Sequence, residues 1–206
     1  MEIQNLVKRF AGHPGIVAIQ KVWADDDVRL VHLKGLSASA TPMLFAALST
    51  LGKTWEVPVA LFVLNDLEEA GYFYHDLTQM LGEGQVFFLP SSYKRAIKYG
   101  QKDPANEVLR TEVLTRLAAS SVSIQSGEDG VMAPLYIVSY PDALVERVVS
   151  RDTLDMRSVT LAVGGTVEIS KMEAALISEG FERVDYVYEP GQFAVRGSIL
   201  DVFSYA

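Results

Sequence analysis

Six consecutive apolar residues, Val59-Ala60-Leu61-Phe62-Val63-Leu64, restrict the fold more than any other feature of this chain. A strand that is apolar on both sides suits a sheet covered on both faces, as in parallel sheets joined by right-handed crossovers. That strand is expected over residues 57–64, and comparable runs occur at 28–33, 86–89 and 135–139. Each is followed by a stretch of helical periodicity, at 40–51, 67–81, 104–119 and 141–148. Alternation of this kind predicts an α/β fold. The helix at 67–81 is fully signalled: Asp66 can cap it, Glu69 stands three residues later, and Gly82 ends it. Ala70, Phe73, Leu77, Met80 and Leu81 form its inward stripe.

The rhythm falters in the charged stretch at 149–158, which predicts a larger domain over 1–153 and a smaller α+β domain over 154–206. The second domain is expected to contain a strand at 159–163 and a turn at Gly164-Gly165. A helix opened by a Ser170-x-x-Glu173 capping box and closed at Gly180 should follow, then a strand at 184–188. Its last segment carries a strand-like rhythm, Phe193, Val195, Ile199, Leu200, Val202 and Phe203, broken at Arg196-Gly197 where the glycine permits a bend or bulge. So few residues bury little core, and a strand with no turn or partner after it implies a truncated domain in a longer protein.

Composition narrows the function. Of the 206 residues, 49% are hydrophobic, as in a packed globular protein, and the formal charge of −8 argues against a broad nucleic-acid footprint. With no cysteine there is neither a disulfide framework nor a zinc ribbon. The polar start, Met1-Glu2-Ile3-Gln4-Asn5, is unlike a secretory signal, and no apolar run approaches the roughly twenty residues of a membrane span. A cytoplasmic location is the expectation. His13, His32 and His75 are isolated, so no metal site is expected, and Asp25-Asp26-Asp27 reads as a turn.

Four segments superficially resemble chemistry. Ala47-Leu48-Ser49-Thr50-Leu51-Gly52-Lys53-Thr54 fits a relaxed phosphate-loop pattern, but a working loop needs a strand before it and a helix after it, and here the order is reversed. Gly52-Lys53-Thr54 therefore reads as a helix stop, the alternative being a small nucleotide-binding enzyme that uses it. The right position for such a loop is Gly35-Leu36-Ser37-Ala38-Ser39-Ala40-Thr41-Pro42. There Ala40 replaces the second glycine, Thr41 the lysine and Pro42 the magnesium-binding hydroxyl, so no nucleotide or magnesium is expected. Lys94, Arg95, Lys98 and Lys102, interleaved with Tyr93 and Tyr99, could stack on single strands, but in so acidic a chain they read as a solvated loop. Asn65-Asp66 superficially resembles a magnesium-binding strand end, but Asp66 is sufficiently explained as a cap.

Glu189-Pro190-Gly191, Phe193, Arg196-Gly197, Ile199, Asp201 and Phe203 stand in one register, and this pattern resembles the signature shared by the bacterial transcription-repair coupling factors and the excision-nuclease subunit UvrB. The degenerate loop at Gly35, Ser37, Ser39, Ala40 and Thr41, and a connection too short for the tyrosine-rich hairpin of UvrB, make the chain more similar to the coupling factors. The alternative is a UvrB-like damage-binding subunit. The resemblance implies a degenerate P-loop NTPase-like α/β domain at 1–153, similar to UvrB domain 1A, and a partial UvrA-interaction domain at 154–206, similar to domain 2. It further implies a non-catalytic module that recruits UvrA through Phe193, Arg196 and Gly197. The parent would be an ATP-driven, magnesium-dependent DNA translocase that reaches RNA polymerase and DNA through regions outside this chain.

Overall fold

The computed structural model describes residues 3–25, 27–51, 59–93, 103–126, 134–159 and 161–205. Its elements are α1 (Ile3–Ala11), α2 (Pro14–Trp23), α3 (Ala40–Ser49), β1 (Val59–Val63), α4 (Leu67–Leu81), β2 (Val86–Leu89), α5 (Pro104–Ser126), β3 (Leu135–Ser139), α6 (Pro141–Leu144), α7 (Arg151–Arg157), α8 (Ile169–Ser178), β4 (Glu182–Arg183), β5 (Gln192–Arg196) and β6 (Ile199–Phe203). The chain divides into two compact units, Met1–Phe88 with Asp129–Pro141, and Leu89–Glu128 with Asp142–Ala206. This division does not coincide with the module boundary placed after residue 153.

In the first unit the sheet order is β1-β3-β2, with β1 and β3 parallel, as expected of an α/β fold. The central strand β3 is buried at every position. The most apolar run behaves differently, because β1 lies at the sheet edge. Phe62 turns inward, with its ring centroid 4.8 Å from that of Phe45, 5.0 Å from Phe73 and 6.2 Å from Tyr136. Leu61 and Val63, on the opposite face, are each 51% exposed. The α4 signals read correctly: the Asp66 carboxylate accepts the Glu69 N–H at 2.9 Å, and Ala70, Phe73, Leu77 and Met80 are buried.

Residues 28–33 do not form the expected strand. Leu33 and Leu36 pack instead on a helical cluster of Ile16, Leu44, Ala47 and Leu48, while Leu30 is left exposed. The cluster is built by α1, α2 and α3, and no helix is expected from sequence before residue 40. His13 caps α2, its Nδ1 accepting the Gly15 N–H at 3.1 Å, and Asp25 folds a turn by accepting the Asp27 N–H. Within the strand expected at 159–163, the described residues 159 and 161–163 are not in a strand; Val159, Leu161 and Val163 are all exposed, and β propensity without a surface to pack on builds nothing.

The second unit contains the sheet β4-β5-β6. The expected strand at 184–188 is replaced by β4, which pairs in parallel with β5 through Glu182 and Arg183. The helix before it starts two residues earlier than the capping box implied. Glu168 is the cap, and its carboxylate accepts the Ser170 hydroxyl and pairs with Lys171 at 2.8 Å. Within the polar stretch at 149–158, the Ser150 hydroxyl caps α7 by accepting the Thr153 N–H. α6 stops at Leu144, short of the expected 148, and Glu146 is taken into a buried polar cluster.

In that cluster the Arg110 guanidinium, 6% exposed, donates to the carbonyl oxygens of Pro90 at 2.6 Å and Ala143 at 3.1 Å. It stands 3.5 Å from the Glu146 carboxylate, which also accepts the hydroxyls of Ser91 and Ser92 and the Ser92 N–H. Burial pushes the Glu146 carboxyl up, but the Ser91 and Ser92 hydroxyls, the Ser92 amide and Arg110 together outweigh it and hold the group below its ordinary 4.5. Removing one member of a buried pair strands the other, at a cost of about 3 kcal/mol, so Glu146→Gln should lower the urea midpoint clearly. A carboxyl with a depressed folded value contributes stability above its unfolded value and loses it as pH falls through the folded one. The difference between parent and Glu146→Gln should therefore be largest at neutral pH and close in acid; a difference that did not narrow on acidification would contradict this assignment.

Candidate functional site

The terminal segment, expected as one bent strand, is a hairpin. β5 and β6 pair antiparallel from Gln192↔Phe203 to Arg196↔Ile199, leaving Gly197-Ser198 as a two-residue loop. Gly197 has φ +63° and Ser198 is not left-handed, the pattern of a type II′ turn, which asks for glycine at its first central position. At the other end Gly191, φ +85°, lies so close to the Tyr205 ring that a Cβ there would collide with it. The Gln192 side chain closes the preceding turn by accepting the N–H groups of Tyr188 at 3.0 Å and Glu189 at 3.1 Å.

Strand alternation then sorts the signature residues. Arg196 and Asp201 are diagonal neighbours on one face, since Arg196 pairs with Ile199 and Asp201 with Ala194. Their side chains form an ion pair and remain about half exposed, at 49% and 41%. The Arg196 guanidinium carbon also lies 5.3 Å from the ring centroid of Tyr186. Beside them is an open cavity of about 630 Å³ lined by Arg183, Val184, Asp185, Tyr186, Val195 and Arg196, and Arg183 is itself paired with Glu173. Of the three signature residues assigned to partner contact, Arg196 and Gly197 are exposed. Phe193 is wholly buried, so it acts from beneath by holding the strand. Tyr186 was not singled out from sequence, and Asp201 was read only as part of the signature.

The degenerate loop has a different character. Gly35, Ser37 and Ser39 are exposed, Ala38 is left-handed at φ +47°, and the Ala40 N–H closes a turn on the Ser37 carbonyl at 3.0 Å. Ser39 stands at the α3 cap without a side-chain hydrogen bond, and Thr41 and Pro42 lie inside the first helical turn, Pro42 buried. No strand feeds this loop, so the backbone frame of a phosphate site is not found here. Gly52, Lys53 and Thr54 lie outside the described residues, as do Lys94, Arg95, Lys98, Tyr99 and Lys102. The motif Gly52-Lys53-Thr54 nevertheless stands after α3 and before β1, the reverse of the order a phosphate loop requires. Asp66 caps α4, and among the described residues no cluster of three His, Asp or Glu is placed to hold a metal ion. Among them, too, no helix is long and apolar enough to cross a membrane.

One comparison with known proteins falls on the same segment. Residues 159–206 match the UvrB interaction domain family. The transcription-repair-coupling factor of Bacillus subtilis (strain 168) is 27% identical over 173 residues, which is 83% of this chain and 13% of that protein. Those of Staphylococcus aureus (strain bovine RF122 / ET3-1) and Staphylococcus epidermidis (strain ATCC 12228 / FDA PCI 1200) are each 25% identical over 143 residues, 69% of this chain and 11% of theirs. The chain thus spans little more than a tenth of the length of these relatives. Most of this chain is thus similar to transcription-repair-coupling factors, as an amino-terminal fragment of one would be, and its residues 159–206 match the UvrB interaction domain family.

Proposed function

We propose that this chain is a non-catalytic recruitment module that binds UvrA through the exposed face of the β5–β6 hairpin, centred on Arg196 and Gly197 and supported from beneath by Phe193. The observation that carries this reading is the match of residues 159–206 to the UvrB interaction domain family, whose signature arginine stands exposed at the hairpin tip. Within a longer coupling factor, the module would bring the excision machinery to lesions that stall RNA polymerase. ATP-driven translocation, and contact with polymerase and DNA, would belong to other parts of that protein. No nucleotide, metal or membrane enters this module's own function.

Arginine suits the contact because its planar guanidinium binds a carboxylate bidentately. Truncating a desolvated interface arginine commonly costs about 2 kcal/mol or more, so Arg196→Ala should weaken UvrA binding at least roughly tenfold. Calorimetric titration of UvrA with parent and variant checks this, with circular dichroism to confirm folding; equal affinities would remove Arg196 from the interface.

The loop at Gly35, Ser37, Ser39, Ala40 and Thr41 should leave the chain indifferent to nucleotide. A ligand at a hundredfold over its dissociation constant stabilises by about 2.7 kcal/mol, which at this size raises Tm by roughly 5 to 10 °C. Millimolar Mg-ATP is expected to leave Tm unchanged. A rise of that order, abolished by Lys53→Ala, would support the nucleotide-binding enzyme instead.

A further inference from the structure

Tyr186 belongs to no part of the signature, yet its ring lies under the one exposed arginine that the signature contributes to the hairpin tip. We propose that Tyr186 is a positioning residue for Arg196, and that with Asp201 it shapes a socket for a carboxylate side chain of the partner. The inference rests on the reading that this face binds UvrA and adds what the face recognises there.

The argument follows from the donor geometry of arginine. A guanidinium offers a carboxylate two forks, Nη1 with Nη2 and Nε with Nη2, so both forks use Nη2, one hydrogen each. Asp201 takes a single N–H of that Nη2. One fork is thereby occupied and the other is left. The Tyr186 ring, 5.3 Å from the guanidinium carbon, limits movement of the guanidinium toward that side, and Asp201 tethers it through Nη2. Tyr186, Arg183, Val195 and Arg196 also line the 630 Å³ cavity, which has room for an incoming side chain.

Charge alone does not explain the site. Arg196 is balanced by Asp201, Arg183 by Glu173, and Asp185 also lines the cavity. Long-range attraction for an acid is therefore weak, and recognition depends on the shape of the remaining fork. Lysine, a point charge without a fork, should not replace Arg196.

The test is titration of purified UvrA with the parent chain, Tyr186→Phe, Tyr186→Ala and Arg196→Lys. Tyr186 is 60% exposed, so these variants should fold as the parent does by circular dichroism. Tyr186→Phe keeps the ring and should bind like the parent. Tyr186→Ala should lose roughly two- to fivefold, the worth of an exposed cation–π contact, and Arg196→Lys should lose about as much as Arg196→Ala. The Arg196 Nε–H resonance should be distinct in the parent and in Tyr186→Phe and collapse toward the exposed-arginine position in Tyr186→Ala. Parental affinity for Tyr186→Ala, or for Arg196→Lys, would overturn the inference while leaving UvrA recruitment intact. If the parent itself fails to bind UvrA, the recruitment reading falls and the socket falls with it.

Discussion

A two-residue turn decides which way every side chain of the β5–β6 hairpin points. Because side chains alternate along a strand, a slip of one residue would carry Arg196 and Asp201 to the other face and bring Phe193 out of the interior. Two conditions prevent the slip. Gly197 supplies the left-handed conformation that a type II′ turn needs, and Phe193 is worth burying only in this register. The exposed ion pair is a consequence of the turn and contributes little stability of its own. The chemistry Arg196 offers is thereby separated from the stability of the hairpin that presents it.

The Arg110–Glu146 cluster has the opposite character. Its arginine is buried. Two backbone carbonyls, two serine hydroxyls and an amide bind its members, while Arg110 Nη2 has no hydrogen-bond partner among the described residues, and those members are drawn from three separate stretches of the second unit. Such a pair stabilises through the penalty of breaking it, and it fixes the chain at Pro90 to Ser92 and at Ala143 to Glu146. Its carboxylate is committed to structure, whereas the carboxylate of Asp201 is half exposed and poised beside a cavity. Polar side chains in one unit therefore divide between holding and presenting.

Local signals were legible in the sequence and long-range ones were not. The α4 cap, stripe and stop lie within seventeen residues and were all readable, from Asp66 to Gly82. Residues 28–33 misled because their pattern does not tell whether Leu33 packs on a sheet or on helices, and the helices supplied by residues 1–27 were unread. Val159, Leu161 and Val163 misled because propensity does not reveal the absence of a packing surface. At the candidate site Arg196 and Gly197 were visible as a signature. Gly197-Ser198 could also have been read as a hairpin loop, which would have brought Arg196 and Asp201 together. Tyr186 reaches Arg196 across ten residues of turn and strand, and Glu146 reaches Ser92 across fifty-four, so neither contact leaves a periodic trace.

The relatives are similar to most of this chain, while the recruitment surface proposed here occupies only its terminal hairpin. Hydrogen–deuterium exchange with and without UvrA tests that placement directly. Amides of residues 183–188 and 192–203 should become protected, with those of the loop and helix at 35–49 unchanged. Protection confined to 35–49, or none at the hairpin under conditions where UvrA is bound, would contradict the placement.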